Sequence, residues 1–141
     1  MKKVLIINAN YYDNLTKQLV FFSKKILKKE KIDLSIVNVP GVFEIPIAIR
    51  RNINKFDGFI ALGCVIKGKT PHFDLICKST FDSILNLSII YNKPIGNGII
   101  TAFNIRQAKE RSGLINSRKP NKGLEAAKAV LSILKSGPKK I

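Results

Sequence analysis

Gly58-Phe-Ile-Ala-Leu-Gly63-Cys-Val-Ile-Lys-Gly-Lys-Thr70-Pro-His72 is the stretch on which the fold turns. Its first six residues form a short, continuous apolar run, which predicts a strand buried on both faces. Thr70-Pro71 then offers a capping hydroxyl and a first-turn proline for a long helix reaching about Tyr91. Phe73, Ile76, Thr80, Ile84 and Leu87 recur at helical spacing as its expected buried face. A doubly buried strand leading into a helix is the repeating unit of a parallel sheet.

Working outward, the same unit recurs. Val4-Leu-Ile-Ile7 predicts a buried strand, and Leu15, Leu19, Phe22 and Ile26 mark one stripe of a helix over Asp13–Lys29. Leu34–Val39 reads as a second strand stopped by Pro40-Gly41, with a short helix beginning near Phe43 and Pro46 in its first turn. Downstream, Ile95–Ile100 reads as a fourth strand interrupted by Gly96 and Gly98. A helix near Ile105–Arg111 follows, and a last one runs from Asn121 to about Lys135, with Leu124, Ala127, Leu131 and Leu134 on one face. This alternation predicts an α/β three-layer sandwich with a four-stranded parallel sheet and right-handed crossovers. The 141 residues contain no repeat, linker or low-complexity stretch, so one domain over 1–141 is expected.

No run approaches the roughly 18 apolar residues of a membrane span, and Met1-Lys-Lys before Val4–Ile7 leaves too short a core for a secretory signal. The expected compartment is the cytoplasm. Cys64 and Cys77 lack CxxC or Cys/His spacing and read as buried free thiols, with no metal site. The formal net charge of +16 raises nucleic acid as a partner. However, Lys17, Lys24, Lys25, Lys28 and Lys29 are spread over solvated helix faces without interleaved aromatics, so no nucleic-acid partner is expected. A positive field would instead attract a phosphorylated small molecule.

In open α/β sheets ligands bind beyond the carboxyl ends of the strands. Those ends here are Asn8–Tyr12, Val39–Glu44, Gly63–His72 and Asn97-Gly98, where the polar residues of the chain collect. Gly68-Lys69-Thr70 runs into a helix start, which suits an anion, although a plain cap has the same appearance. His72, the only histidine, stands beside it as a candidate for proton transfer or as a solvated first-turn residue. Arg111 and Lys122 flank the last loop as two cations able to converge on an anion, or as two of 25 scattered basic residues. Glu44 is placed either to accept sugar hydroxyls or to stabilise a helix start.

Val39-Pro-Gly-Val-Phe-Glu-Ile-Pro46, Ala61–Asp74, Gly98-Ile-Ile-Thr101 and Asn121-Lys-Gly123 closely resemble the successive signature segments of lumazine synthases. The resemblance covers nearly the whole chain in order and spacing. It implies a flavodoxin-like sandwich, no cofactor, and active sites shared between neighbouring subunits of a homopentamer. It also implies condensation of 5-amino-6-(D-ribitylamino)uracil with 3,4-dihydroxy-2-butanone 4-phosphate. By the same resemblance His72 is the proton-transfer residue and Arg111 grips the substrate phosphate, which Lys69 and Thr70 also hold. Lys122 approaches the substrates from the neighbouring subunit. Val42, Phe43 and Glu44 hold the ribityl chain, Val65 and Ile66 present a backbone edge to the uracil, and Tyr11 stacks on the ring.

Two positions depart from the family pattern: the common Arg-Phe-Asn is here Asn10-Tyr11-Tyr12, and Asn97 stands where many members place a phenylalanine that walls the neighbour's pocket. Competing readings are an archaeal-type riboflavin synthase and a non-catalytic flavin- or RNA-binding module, but the His72 segment fits condensation better. Shell-forming relatives carry an amino-terminal extension, whereas this sequence opens almost at once on its first strand. Together with the long Leu114–Pro120 stretch and the high charge, this predicts a free pentamer and not a shell of sixty chains.

Overall fold

The computed structural model describes residues 1–141. Four strands, β1 (Lys2–Ala9), β2 (Ile32–Val39), β3 (Gly58–Ile66) and β4 (Ile95–Ala102), form one all-parallel sheet in the order β2-β1-β3-β4. Five helices connect or follow them: α1 (Asp13–Leu27), α2 (Ile45–Arg51), α3 (His72–Tyr91), α4 (Ile105–Ser112) and α5 (Lys122–Lys135). This is the flavodoxin-like three-layer α/β sandwich expected from the alternation of apolar runs. The central strands are continuously buried over Val4–Ala9 of β1 and Gly58–Cys64 of β3, whereas β2 at one edge has only half-buried and exposed residues.

Side chains alternate across the pleat and so divide the core in two. Val4, Ile6, Ile60, Leu62 and Ile100 face α1, α4 and α5, where Leu15, Leu19, Ala127 and Val130 meet them. Leu5, Ile7, Phe59, Ala61 and Ile99 face α2 and α3, meeting Ile45, Ile49 and Ile84.

The elements differ from expectation chiefly at their ends. The β3–β4 ladder continues to Ile66 opposite Ala102, so both strands outlast their most apolar runs. Pro71 precedes α3 as its cap and is not in its first turn; Thr70 Oγ1 accepts weakly from His72 N at 3.5 Å. A 3-10 turn over Val42–Glu44 comes before α2, which starts at Ile45 with Pro46 in its first turn. In α5 the buried stripe is Gly123, Ala126, Ala127, Val130 and Leu131, while Leu124 and Leu134 are only half-buried. Small residues win that face because the backbones approach closely. A Cβ on Gly96 would fall 2.3 Å from Ala126 O, and one on Gly123 would fall 2.3 Å from Leu19 O. The glycine that interrupts β4 thus makes room for α5. No helix is long and apolar enough to cross a membrane.

Candidate active site

The ladder between β1 and β3 ends at Asn8 opposite Leu62, so the last residues of β3 run on past β1. Their backbone has no strand partner on that side. The chain leaves β1 through Asn10, whose N–H donates to Val39 O at 3.0 Å, tying the ends of β1 and β2 together. A cavity of about 430 Å³ opens between these ends, lined by Tyr11, Tyr12, Gly41, Val42, Phe43, Cys64, Val65, Ile66, His72 and Ile76. Six of the residues singled out in the sequence meet here: Tyr11, Val42, Phe43, Val65, Ile66 and His72.

Tyr11 is 77% exposed and packs edge-on against Tyr12, with ring centroids 5.0 Å apart. Its ring is therefore held by an aromatic neighbour while one side stays free for a planar ligand. Burial, with the nearby Cys64 and Tyr11, pushes the Tyr12 phenol above its usual range. Burial also pushes the Cys64 thiol up to about 12, so the cavity wall presents a neutral thiol and not a thiolate nucleophile. The Cys77 thiol shifts upward too, through burial and then the charge of Asp74. Both cysteines are free; Cys64 is buried and Cys77 only half-buried. No three His, Cys, Asp or Glu side chains gather to hold a metal ion.

Glu44 lies next door. Its Oε1 sits 3.5 Å from where a Cβ on Gly41 would stand, and Gly41 lines the cavity. The remaining candidates do not line it. Lys69 and Thr70 are exposed in the connection between β3 and α3. Asn97, half-buried in β4 opposite Ala61, accepts from Ile99 N at 3.0 Å. Arg111 and Lys122 sit at the end of α4 and the start of α5. These two ends do meet, since a Cβ on Gly113 after α4 would fall 2.8 Å from Asn121 Nδ2, and Asn121 caps α5 by accepting from Leu124 N at 3.0 Å. Arg111 reaches only its own helix, donating to Gln107 O at 3.5 Å, and Lys122 pairs with Glu125 at 3.5 Å. Within one chain, then, the ring-sized cavity and the basic α4–α5 junction are separate.

Sequence reasoning passed over Cys64 and Ile76 as core residues and treated Tyr12 only as a departure. The strand-end rule was signal enough for Cys64 and Tyr12, since both fall where β3 and β1 run out.

The profile of the 6,7-dimethyl-8-ribityllumazine synthase family matches residues 1–136. Over 138 residues the chain is 38% identical to the 6,7-dimethyl-8-ribityllumazine synthase of Campylobacter curvus, covering 94% of this chain and 86% of that one. The protein of the same name from Campylobacter jejuni subsp. doylei is 39% identical over 137 residues, with 94% and 87% coverage. That from Limosilactobacillus reuteri is 38% identical over 132 residues, with 92% and 85% coverage. A match that spans the sheet, the strand-end cavity and the capped α5 together means that the chain belongs to the 6,7-dimethyl-8-ribityllumazine synthase family.

Proposed function

We propose that the chain condenses 5-amino-6-(D-ribitylamino)uracil with 3,4-dihydroxy-2-butanone 4-phosphate, forming 6,7-dimethyl-8-ribityllumazine and inorganic phosphate, in riboflavin biosynthesis. The observation that carries this reading is the cavity at the carboxyl ends of the strands, which has a stacking ring on one wall, an unpartnered backbone edge on another and the only imidazole of the chain at its rim. The ring of the diaminouracil stacks on Tyr11 and reads the backbone of Val65 and Ile66. Its ribityl chain leaves toward Val42, Phe43 and Glu44.

The five-amino group attacks the ketone, and loss of water gives an imine. Removal of a proton beside the imine expels phosphate, and the second nitrogen then closes the ring with loss of another water. His72 at the start of α3 moves protons in these steps, while the cavity contributes proximity and orientation. The phosphate sits by Lys69, Thr70 and Arg111, where unpaired N–H groups and cationic side chains favour an anion.

Arg111, Lys122 and Asn97 act in a cavity completed by a second copy, and the assembly is a free pentamer. Three features support this. The basic α4–α5 junction lies apart from the cavity of its own chain. Leu75, Leu85, Ile89 and Ile90 of α3 are 59–71% exposed, an apolar surface that water does not favour. Pentamers of a +16 chain also repel one another at low salt, opposing a shell. A soluble substrate pair is in keeping with a cytoplasmic enzyme.

Mixing purified protein with both substrates tests the reaction. Lumazine fluorescence and one phosphate per lumazine are expected. Riboflavin formed from lumazine alone, or no product from the substrate pair, would overturn the proposal.

A further inference from the structure

The lysines of α1 are not spread evenly around it. Leu15, Thr16, Leu19, Ser23 and Leu27 are buried against the core, while Lys17, Phe21, Lys24 and Lys28 follow one another at helical steps along the other side. The sequence led us to expect no aromatic among these lysines. Phe21 nevertheless stands between Lys17 and Lys24, 58% exposed, because the helical period turns it away from Leu19 and Ser23. Phe22 beside it is packed under the turn after α4, where a Cβ on Gly113 would fall 2.6 Å from its ring. Phe21 rests on Phe22 at a right angle, with centroids 5.4 Å apart, so an anchored ring props an open one.

Free positive charge gathers on the same side. Asp13 is held by Lys17 at 2.9 Å, and Lys24, Lys25 and Lys28 take part in none of the five ion pairs. At the foot of α1 a groove of about 460 Å³ continues the charge with the exposed Lys2, Lys29 and Lys31. Its one acid, Glu30, is already taken by Lys135 at 2.6 Å. Lysines in a last turn also suit the negative end of a helix, but that role does not place a ring among them.

We propose that α1 and the groove at its foot bind a single strand of nucleic acid, with a base stacked on Phe21 and phosphates along Lys24, Lys25, Lys28 and the groove lysines. Open bases have flat faces for the ring, and the phosphates supply the negative charge. A duplex keeps its bases stacked inside. An acidic peptide would meet the lysines but bring no such face. A lipid surface would need an apolar helix face to insert, and Leu15, Leu19 and Leu27 are buried in the core. The surface lies outside the cavity assigned to the condensation, so the two readings stand or fall separately.

The test uses the intact protein and labelled twelve-nucleotide oligouridylate, with oligothymidylate to compare RNA and DNA. With six lysines engaged, log K should fall with log salt at a slope of about −4, and Lys24→Gln/Lys25→Gln/Lys28→Gln should reduce that slope by about 2. Phe21→Ala should weaken binding on the order of tenfold with the slope and the rate of lumazine formation unchanged. The chain has no tryptophan, so Phe21→Trp supplies a single indole at the stacking position. Either oligonucleotide should quench its fluorescence, whereas polyglutamate should leave it bright. Phe21→Ala binding as tightly as the parent would overturn the proposal. So would a duplex binding as well as the single strand, polyglutamate or anionic vesicles binding better than either oligonucleotide, or an indole that no oligonucleotide quenches.

Discussion

The two faces of the sheet are built to different standards. On the α1/α4/α5 side, α5 buries five of its 14 residues and sits close enough to β4 and α1 that only hydrogen fits at Gly96 and Gly123. On the α2/α3 side, α3 is longer, at 20 residues, yet buries only Thr80 and Ile84. Its Leu75, Leu85, Ile89 and Ile90 are exposed in the single chain, and two cavities open along it. One face spends its apolar residues on sealing the fold. The other leaves two cavities and several large apolar side chains open.

The sharpest way to break this contrast is to push the sealed face apart. Gly123→Ala places a methyl 2.3 Å from Leu19 O, a backbone atom that cannot step aside. We expect a loss on the order of 3 kcal/mol or more, read as a collapsed urea midpoint or insoluble protein. An unchanged midpoint would mean that α1 and α5 separate freely, and the face is not sealed at all.

On the open face the corresponding change should spare the fold and damage the chemistry. His72→Ala is expected to lower kcat by roughly 10- to 10³-fold with the thermal midpoint unchanged, since general acid–base help is a modest factor and the residue is exposed. A full rate across several pH values would remove His72 from the mechanism.

Cys64 lies on the seam, in the core of the sealed face and in the wall of the ring cavity. Its folded pKa lies above the ordinary 9.0, at about 12, so its contribution is complete below pH 9 and lost as pH rises toward 12. The parent should lose stability across that window by up to about 1.4 kcal/mol per pH unit more than Cys64→Ala does. Parallel pH profiles of denaturant midpoints would show the thiol to be solvated. The smallest effect is expected at Thr80→Val. Replacing a buried, unpartnered hydroxyl by a methyl should raise stability by about 1 kcal/mol, and a lower melting temperature would mean the hydroxyl is satisfied.

The same division explains what the amino-acid order made legible. The four strands and the helices between them were readable because central strands covered on both faces become unbroken apolar runs, as in Val4–Ile7 and Gly58–Leu62. The α5 stripe was misplaced by a fraction of a turn because a count of large residues picks Leu124 and Leu134, whereas close backbone approach rewards Gly123 and Ala126. The α3 face was overestimated, since helical spacing shows that Phe73, Ile76 and Leu87 are apolar but not that they lie half in water. In the site, strand-end residues such as Tyr11, Val42 and Val65 could be placed because the sheet fixes where strands finish. Position alone offered Arg111 and Lys122 only as two cations able to converge on an anion; their substrate roles, and that of Asn97, rest on the resemblance, because spacing within one chain does not encode contacts to a second copy.

Subunit complementation tests the central claim most directly. His72→Ala alters the cavity of its own chain, whereas Arg111→Ala removes a cation from the α4–α5 junction, which the proposed assembly would present to a neighbour. The two variants are unfolded together in equal amounts, refolded, shown by light scattering to reform mixed assemblies, and assayed for lumazine formation. If each cavity takes His72 from one chain and Arg111 from the next, about a quarter of the sites in a random pentamer regain both and activity rises toward about a quarter of the parental rate. Mixed assemblies no more active than the average of the two variants alone would contradict a site shared between chains.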